Sequence, residues 1–180
     1  MASAGDVIRN PATGETLTFV VTTADSNGEL LQVDVVAAPH KEGPPLHVHR
    51  RFVERYDIRE GRVAIALHGT IRILEPGDKL EIPRGEPHTF KVEGDAPARM
   101  VVDFVPAGTY EGFLETMYRL AEDGKTDEQG RPNLLHMAVI GRKHLDDFAL
   151  ARPTYGVQKL LFALLAPIGR LFGYRTSSRR

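Results

Sequence analysis

Cysteine is absent from all 180 residues. That absence excludes disulfide scaffolds, zinc–thiolate sites, iron–sulfur clusters and cysteine nucleophiles, so a metal would have to be held by His, Asp, Glu or water. Neither sign of charge is in excess: 23 Lys and Arg stand against 24 Asp and Glu, a net charge of −1. A dedicated nucleic-acid binder would show a basic surplus. No run reaches the roughly 18 consecutive apolar residues of a membrane-spanning helix. Residues 1–10 lack a basic start leading into an apolar stretch, so no secretory signal is read there, and a cytoplasmic location is expected. Internal repeats and low-complexity tracts are also missing. A hydrophobic content of 42% can supply a real core. The length suits one domain, or a domain with an appendage, rather than two.

Up to about Pro106 the chain reads as short strands cut by turn residues. The segments 17–23, 30–38, 52–59, 63–67, 71–74, 79–82, 88–92 and 99–105 are rich in β-branched and aromatic residues. Gly or Pro stands at Glu60-Gly61, His68-Gly69, Pro76-Gly77, Pro83-Arg84-Gly85 and Gly94-Asp95. Many short strands at such spacing indicate a sandwich or barrel. After Gly108 the period changes. Residues 111–123 place Phe113, Leu114, Met117, Tyr118, Leu120 and Ala121 on one helical face, with Gly124 where a C-cap glycine belongs. Asn133 can cap a second helix to about Ile140, and residues 146–151 suggest a further turn. The segment 155–173 is the most apolar, and Pro167 should kink or end a helix there. The resulting division is a β domain over 1–108 and a helical extension over 109–180.

Three of the seven histidines fall in an ordered pattern with one glutamate: His47-Val48-His49, then Glu54, Gly61, Gly77, Pro83-Arg84-Gly85 and His88. Residues i and i+2 of a strand point to the same face, so His47 and His49 can aim two imidazoles at one point. Three imidazoles and a carboxylate around a divalent ion leave positions open for water, dioxygen or a substrate. Ligands of nitrogen and oxygen without sulfur suit Fe, Mn, Ni, Co or Zn, and the sequence does not choose among them.

At these residues the chain resembles the cupin superfamily, somewhat in the manner of bacterial quercetinase-like cupins. His47, His49, Glu54 and Gly61 fit the first cupin motif, while Gly77, Pro83, Gly85 and His88 fit the second, with 15 residues between Gly61 and Gly77. Two positions depart from the pattern. The leading glycine would fall at Lys41, with Gly43 the nearest glycine, and the final Asn is replaced by Val92. The resemblance implies a mainly β fold, a double-stranded β-helix (jelly-roll) barrel with the metal inside and a C-terminal α-helical extension, often as a homodimer. It also implies metal ligation by His47, His49, Glu54 and His88, and a small-molecule substrate or ligand. The activity it favours is an oxidoreductase of the dioxygenase type, with Glu54 accepting a proton from a metal-bound substrate hydroxyl. A non-enzymatic metal- or ligand-binding cupin and a redox-neutral isomerase or lyase are the alternatives.

Tyr56 shares the face of Glu54, and Phe90 shares that of His88, so both are candidates to line the substrate pocket, as is Arg84 at the barrel mouth. Asp57 and Arg59 read as an exposed ion pair, and His40, His68, His136 and His144 as structural or surface residues. Residues 148–180 contain six Lys or Arg and no Asp or Glu, which leaves −7 on the remainder. Such a basic, apolar tail either packs on the barrel or a partner, or lies on an anionic membrane surface through residues 157–180.

Overall fold

In Leu31–Ala37 (β3), residues 31, 33, 35 and 37 are buried while 32, 34 and 36 are not, the period of a strand with one dry face. The same alternation in Ala98–Val105 (β10) buries Ala98, Met100, Val102 and Phe104. The remaining strands are β1 (Val7–Asn10), β2 (Glu15–Val21), β4 (His47–Val48), β5 (Val53–Glu60), β6 (Arg62–Leu67), β7 (Thr70–Leu74), β8 (Lys79–Ile82), β9 (His88–Glu93) and β11 (Ala149–Leu150). The computed structural model describes residues 2–41 and 43–176.

The strands form two antiparallel sheets, ordered β1-β2-β3-β10-β5-β8 and β11-β4-β9-β6-β7. Their dry faces meet in one core, where Phe19, Leu31, Phe52, Ile58, Ile65, Ile82 and Met100 are almost fully buried. The fold is therefore mainly β, as expected, with helices at the C-terminal side. Gly61 shows why the first motif ends in glycine. Its φ is +73°, and a Cβ there would lie 2.6 Å from the Pro97 carbonyl oxygen. Gly43, displaced from its expected position, has its own close approach, since a Cβ would lie 1.8 Å from the Phe90 carbonyl oxygen. Val92 fills core space where the motif has Asn.

Helix α1 (Tyr110–Glu122) buries Phe113, Leu114, Leu120 and Ala121 in the barrel core cluster or beside it. Carboxylates also tie it down: Glu111 accepts from the backbone N–H of Ala2 (3.1 Å) and of Thr23 (2.7 Å), and Glu122 from that of Arg9 (3.2 Å). Helix α2 (Leu134–His144) starts at Asn133, whose side chain accepts from the His136 N–H at 3.0 Å. With α3 (Tyr155–Leu171) it builds a second core from Ala138, Val139, Leu145, Ala149, Phe162 and Ala166. Two glycines permit that contact. A Cβ on Gly141 would lie 2.3 Å from the Phe162 ring, and one on Gly169 would lie 2.7 Å from the Leu135 carbonyl oxygen.

Two local readings change. Helix α3 continues through Pro167 to Leu171. Pro167 is exposed, so the carbonyl one turn back that loses its N–H partner is the main cost, and the ring points away from the core. The turn expected over 146–151 is confined to its start, at residues 145–147, and Ala149–Leu150 form β11, which pairs with β4 so that Leu150 lies opposite His47. The basic residues Arg179 and Arg180 lie outside the described residues.

Candidate metal centre

Strand pairing brings the four candidate ligands together. His47 of β4 lies opposite His88 of β9, which also faces Leu67 of β6, while Glu54 of β5 lies between Phe104 of β10 and Ile82 of β8. His49 follows β4 directly and is held by the backbone N–H of Gly85, which donates to its carbonyl at 2.8 Å. One donor atom from each residue lies within 4.8 Å of the others, and all four residues are only 1–5% exposed. His47 Nε2 is 3.1 Å from His49 Nε2, and Glu54 Oε2 is 2.7 Å from His88 Nε2 and 3.4 Å from His49 Nε2.

The other ring nitrogen of each histidine is already committed. The Nδ1 atoms of His47, His49 and His88 sit 2.9, 2.5 and 2.9 Å from the carbonyl oxygens of Pro45, Asp147 and Glu86. A carbonyl only accepts, so each Nδ1 carries the proton and donates. The neutral rings then present their Nε2 lone pairs to the centre, the arrangement of metal-ligating imidazoles oriented by backbone carbonyls. Glu54 Oε2 and His88 Nε2 are buried and, despite their proximity, make no hydrogen bond of acceptable geometry. Lone pairs and a carboxylate converging in a dry space favour positive charge among them. The residues present therefore fit a divalent transition metal held by three nitrogens and one oxygen.

Titration behaviour has the same origin. Burial pushes the His47 pKa well down, helped by the neighbouring His49 and His88. Burial alone would raise the Glu54 carboxyl, but in the metal-free cluster a proton taken up by the His49 and His88 imidazoles outweighs it and holds the carboxyl well below the usual carboxylate range. Burial also opposes protonation of His88, yet Glu54 raises its pKa overall. Tyr56 donates its hydroxyl to Glu54 Oε1 at 2.9 Å, and burial next to that carboxylate keeps the phenol protonated far above its ordinary pKa.

Of the suggested pocket residues, Tyr56 thus touches a ligand directly. The Phe90 ring lies 6.2 Å from that of Tyr56, half-buried on the same inner surface. Arg84 is exposed on its turn. Asp57 pairs with Arg59 at 3.0 Å and with Lys79 at 2.9 Å. His40 and His68 are exposed at ion-pair distance from Asp95 and Glu86, and His136 reaches the Arg175 carbonyl.

Residues 144–148 were not picked out by sequence as part of the site. Besides the Asp147 carbonyl on His49, Phe148 stacks on His47 with centroids 4.5 Å apart and planes 18° apart, and Phe113 of α1 stacks behind it at 5.0 Å. The Asp147 carboxylate is fully buried and accepts the Thr109 hydroxyl, whose oxygen is 3.0 Å from His144 Nδ1. The surface hollow of 550 Å³ beside Arg55 and Lys79 and that of 390 Å³ beside Pro44 and Ile71 are lined by none of the four ligands.

Two facing antiparallel sheets enclosing three histidines and a glutamate define a jelly-roll barrel with an internal ligand cluster. The cupin domain model matches residues 33–104, so the chain carries a cupin domain over that stretch, which holds all four ligands. Among curated proteins it is similar to quercetin 2,3-dioxygenase of Bacillus subtilis (strain 168), 28% identical over 80 residues, covering 44% of this chain and 24% of that protein. It is also similar to oxidoreductase OpS7 of Beauveria bassiana, 37% identical over 54 residues, covering 29% and 18% of the two chains. The chain thus spans about a quarter or less of the length of these relatives. A solved structure from Thermotoga maritima described as a predicted oxalate decarboxylase superposes with a TM-score of 0.51 at 17% identity, covering 56% of this chain and 90% of that one. That likeness concerns the fold.

Proposed function

We propose that this cupin is a metal-dependent oxidoreductase of the quercetinase-like dioxygenase kind, acting on a small hydroxylated organic molecule. The carrying observation is the pairing of Tyr56 with Glu54: the hydroxyl occupies Oε1, while Oε2 is left without a hydrogen bond among the three imidazoles. A divalent transition metal held by His47, His49, Glu54 and His88 supplies acidification of a bound hydroxyl and open positions for small molecules. Glu54 Oε2 is then the base placed to take that proton, and Tyr56, which stays neutral, steadies the other oxygen. Phe148 excludes water from the His47 side and must swing away for a substrate to enter. The named relatives, a quercetin 2,3-dioxygenase and an oxidoreductase, support this chemistry over a redox-neutral one.

The test is oxygen uptake by protein loaded in turn with Fe, Mn, Ni or Co and given flavonols such as quercetin. Uptake is expected in the wild type and lost in Glu54→Gln. Phe148→Ala is expected to lower the KM, because it removes the stacked ring over the cluster. A second reading rests on that same ring. With Phe148 and the Asp147 carbonyl both on the imidazoles, the cluster suits a cupin that holds its metal without turnover. Absence of uptake in both wild type and Phe148→Ala, each carrying metal, would establish this second reading.

A further inference from the structure

Helix α3 buries one narrow face, formed by Gln158, Phe162, Ala166 and Gly169, against α2 and the chain that follows β11. Its opposite face is apolar and uncovered: Val157, Leu160, Leu164, Ile168, Leu171 and Phe172 are exposed, Leu164 to 63% and Leu171 to 88%. At 100° per residue these positions form a continuous stripe, about 25 Å long over 17 residues. Lys159 and Arg170 fall together on one flank of the stripe. On that flank, Arg142, Lys143, Arg170, Tyr174 and Arg175 line a 660 Å³ hollow between α2 and α3, and Lys159 joins Arg142 and Lys143 around a second hollow. Among the described residues, none of Arg142, Lys143, Lys159, Arg170 and Arg175 forms a side-chain ion pair, although Asp146 lines the second hollow. No acidic residue occurs after Asp147.

We infer that α3 is an interfacial anchor that docks this cupin on an anionic membrane surface. An apolar stripe beside unpaired cations is what such a surface takes up: leucines and Phe172 enter the headgroup boundary, and the cations meet lipid phosphates. The helix lies in the plane rather than crossing, because no helix of the described residues is long and apolar enough to span. A second copy of the chain is the weaker occupant. In a two-fold contact the same patch faces itself, and α3 contains no Asp or Glu with which the cations of a second copy could pair. Charge complementarity therefore selects the lipid.

Flotation of the whole 180-residue chain, loaded with metal, with vesicles of equal parts phosphatidylcholine and phosphatidylglycerol, against phosphatidylcholine alone, tests the assignment. Binding is expected to the anionic vesicles only and to weaken as salt rises. The double variant Arg142→Gln/Arg170→Gln should bind about 30-fold more weakly, at about a fivefold loss for each surface cation. Leu164→Glu should abolish binding while circular dichroism and metal content stay unchanged, since residue 164 is exposed. Equal binding to both vesicle types, or equal binding by the wild type and Leu164→Glu, overturns the inference. So does a concentration-dependent dimer that Leu164→Glu dissociates while the wild type ignores vesicles.

Discussion

The barrel and the α2–α3 pair treat their surfaces in opposite ways. In the barrel, apolar residues face inward and the few buried polar side chains are tied to partners: three imidazoles each donate to a carbonyl, and Tyr56 donates to Glu54. In the helical pair the buried face is thin, held by glycine-mediated approach, while the wider apolar face points to solvent. Burial in the first region concentrates electrostatics at a point. In the second, exposure leaves surface for something else to cover. Residues 147–150 join them, since one segment supplies a carbonyl to His49, a ring to His47 and a strand to β4 before α3 begins.

The sharpest way to break this contrast is to remove the charge that the barrel converges on. His49→Ala deletes one of four donors and leaves Glu54 and His88 facing a hole. Elemental analysis of protein purified without chelators should show about one transition metal per chain in the wild type and essentially none in the variant, because structural and catalytic sites depend on their full ligand set. Metal retained at wild-type level in His49→Ala would remove His49 from the site.

The helical pair should yield to steric rather than electrostatic change. Gly169→Leu forces a side chain against the Leu135 carbonyl oxygen, where even a Cβ would lie at 2.7 Å. Overpacking of this kind costs about 1–3 kcal/mol, and the backbone neighbour puts this site at the upper end. Urea unfolding should show the loss with metal content unchanged, because Gly169 is remote in sequence and packing from the four ligands.

Much of this division was legible in the residues. Alternation located the long strands to within a residue or two, and the His47, His49, Glu54 and His88 spacing marked the donors that the fold gathers. What stayed hidden has a common cause. The strands β4 and β11 have two residues each, too few to show a period, and they form only because distant segments pair. Phe148 reads locally as one more apolar residue, and its stack on His47 exists only through that pairing. Pro167 does not end the helix, for a different reason: it stands in the last turns of α3 with its ring turned outward, away from the core.

The joint between the regions is the next target, with a smaller expected effect. The Thr109 hydroxyl donates to the Asp147 carboxylate, whose main chain fixes His49. Thr109→Val keeps the shape and removes the donor. Loss of an outer partner typically weakens metal binding by 10–100-fold. Because Thr109 acts through Asp147, about tenfold is expected in a chelator competition, with Thr109→Ser restoring the wild-type value. Unchanged affinity in Thr109→Val would confine the network to packing.

The smallest effect concerns a carboxylate linking β2 to α1, and it depends on pH. Glu15 accepts from Thr13 Oγ1 at 2.9 Å and from the Tyr118 hydroxyl at 3.3 Å. Burial raises its pKa, and these two hydrogen bonds offset only part of the rise. A carboxyl raised in the folded state binds its proton more tightly there than in the unfolded chain. Its contribution to stability is therefore complete below the unfolded pKa of about 4.5 and is lost as pH climbs through the folded value. Glu15→Gln fixes the neutral state. Urea midpoints of wild type and variant should lie close together in acid and separate towards neutral pH, with the variant the more stable there. A gap that narrows with rising pH would mean that Tyr118 and Thr13 favour the ionised carboxylate after all, and that α1 is fastened to the barrel by charge in the same way that Glu111 and Glu122 fasten it to backbone N–H groups.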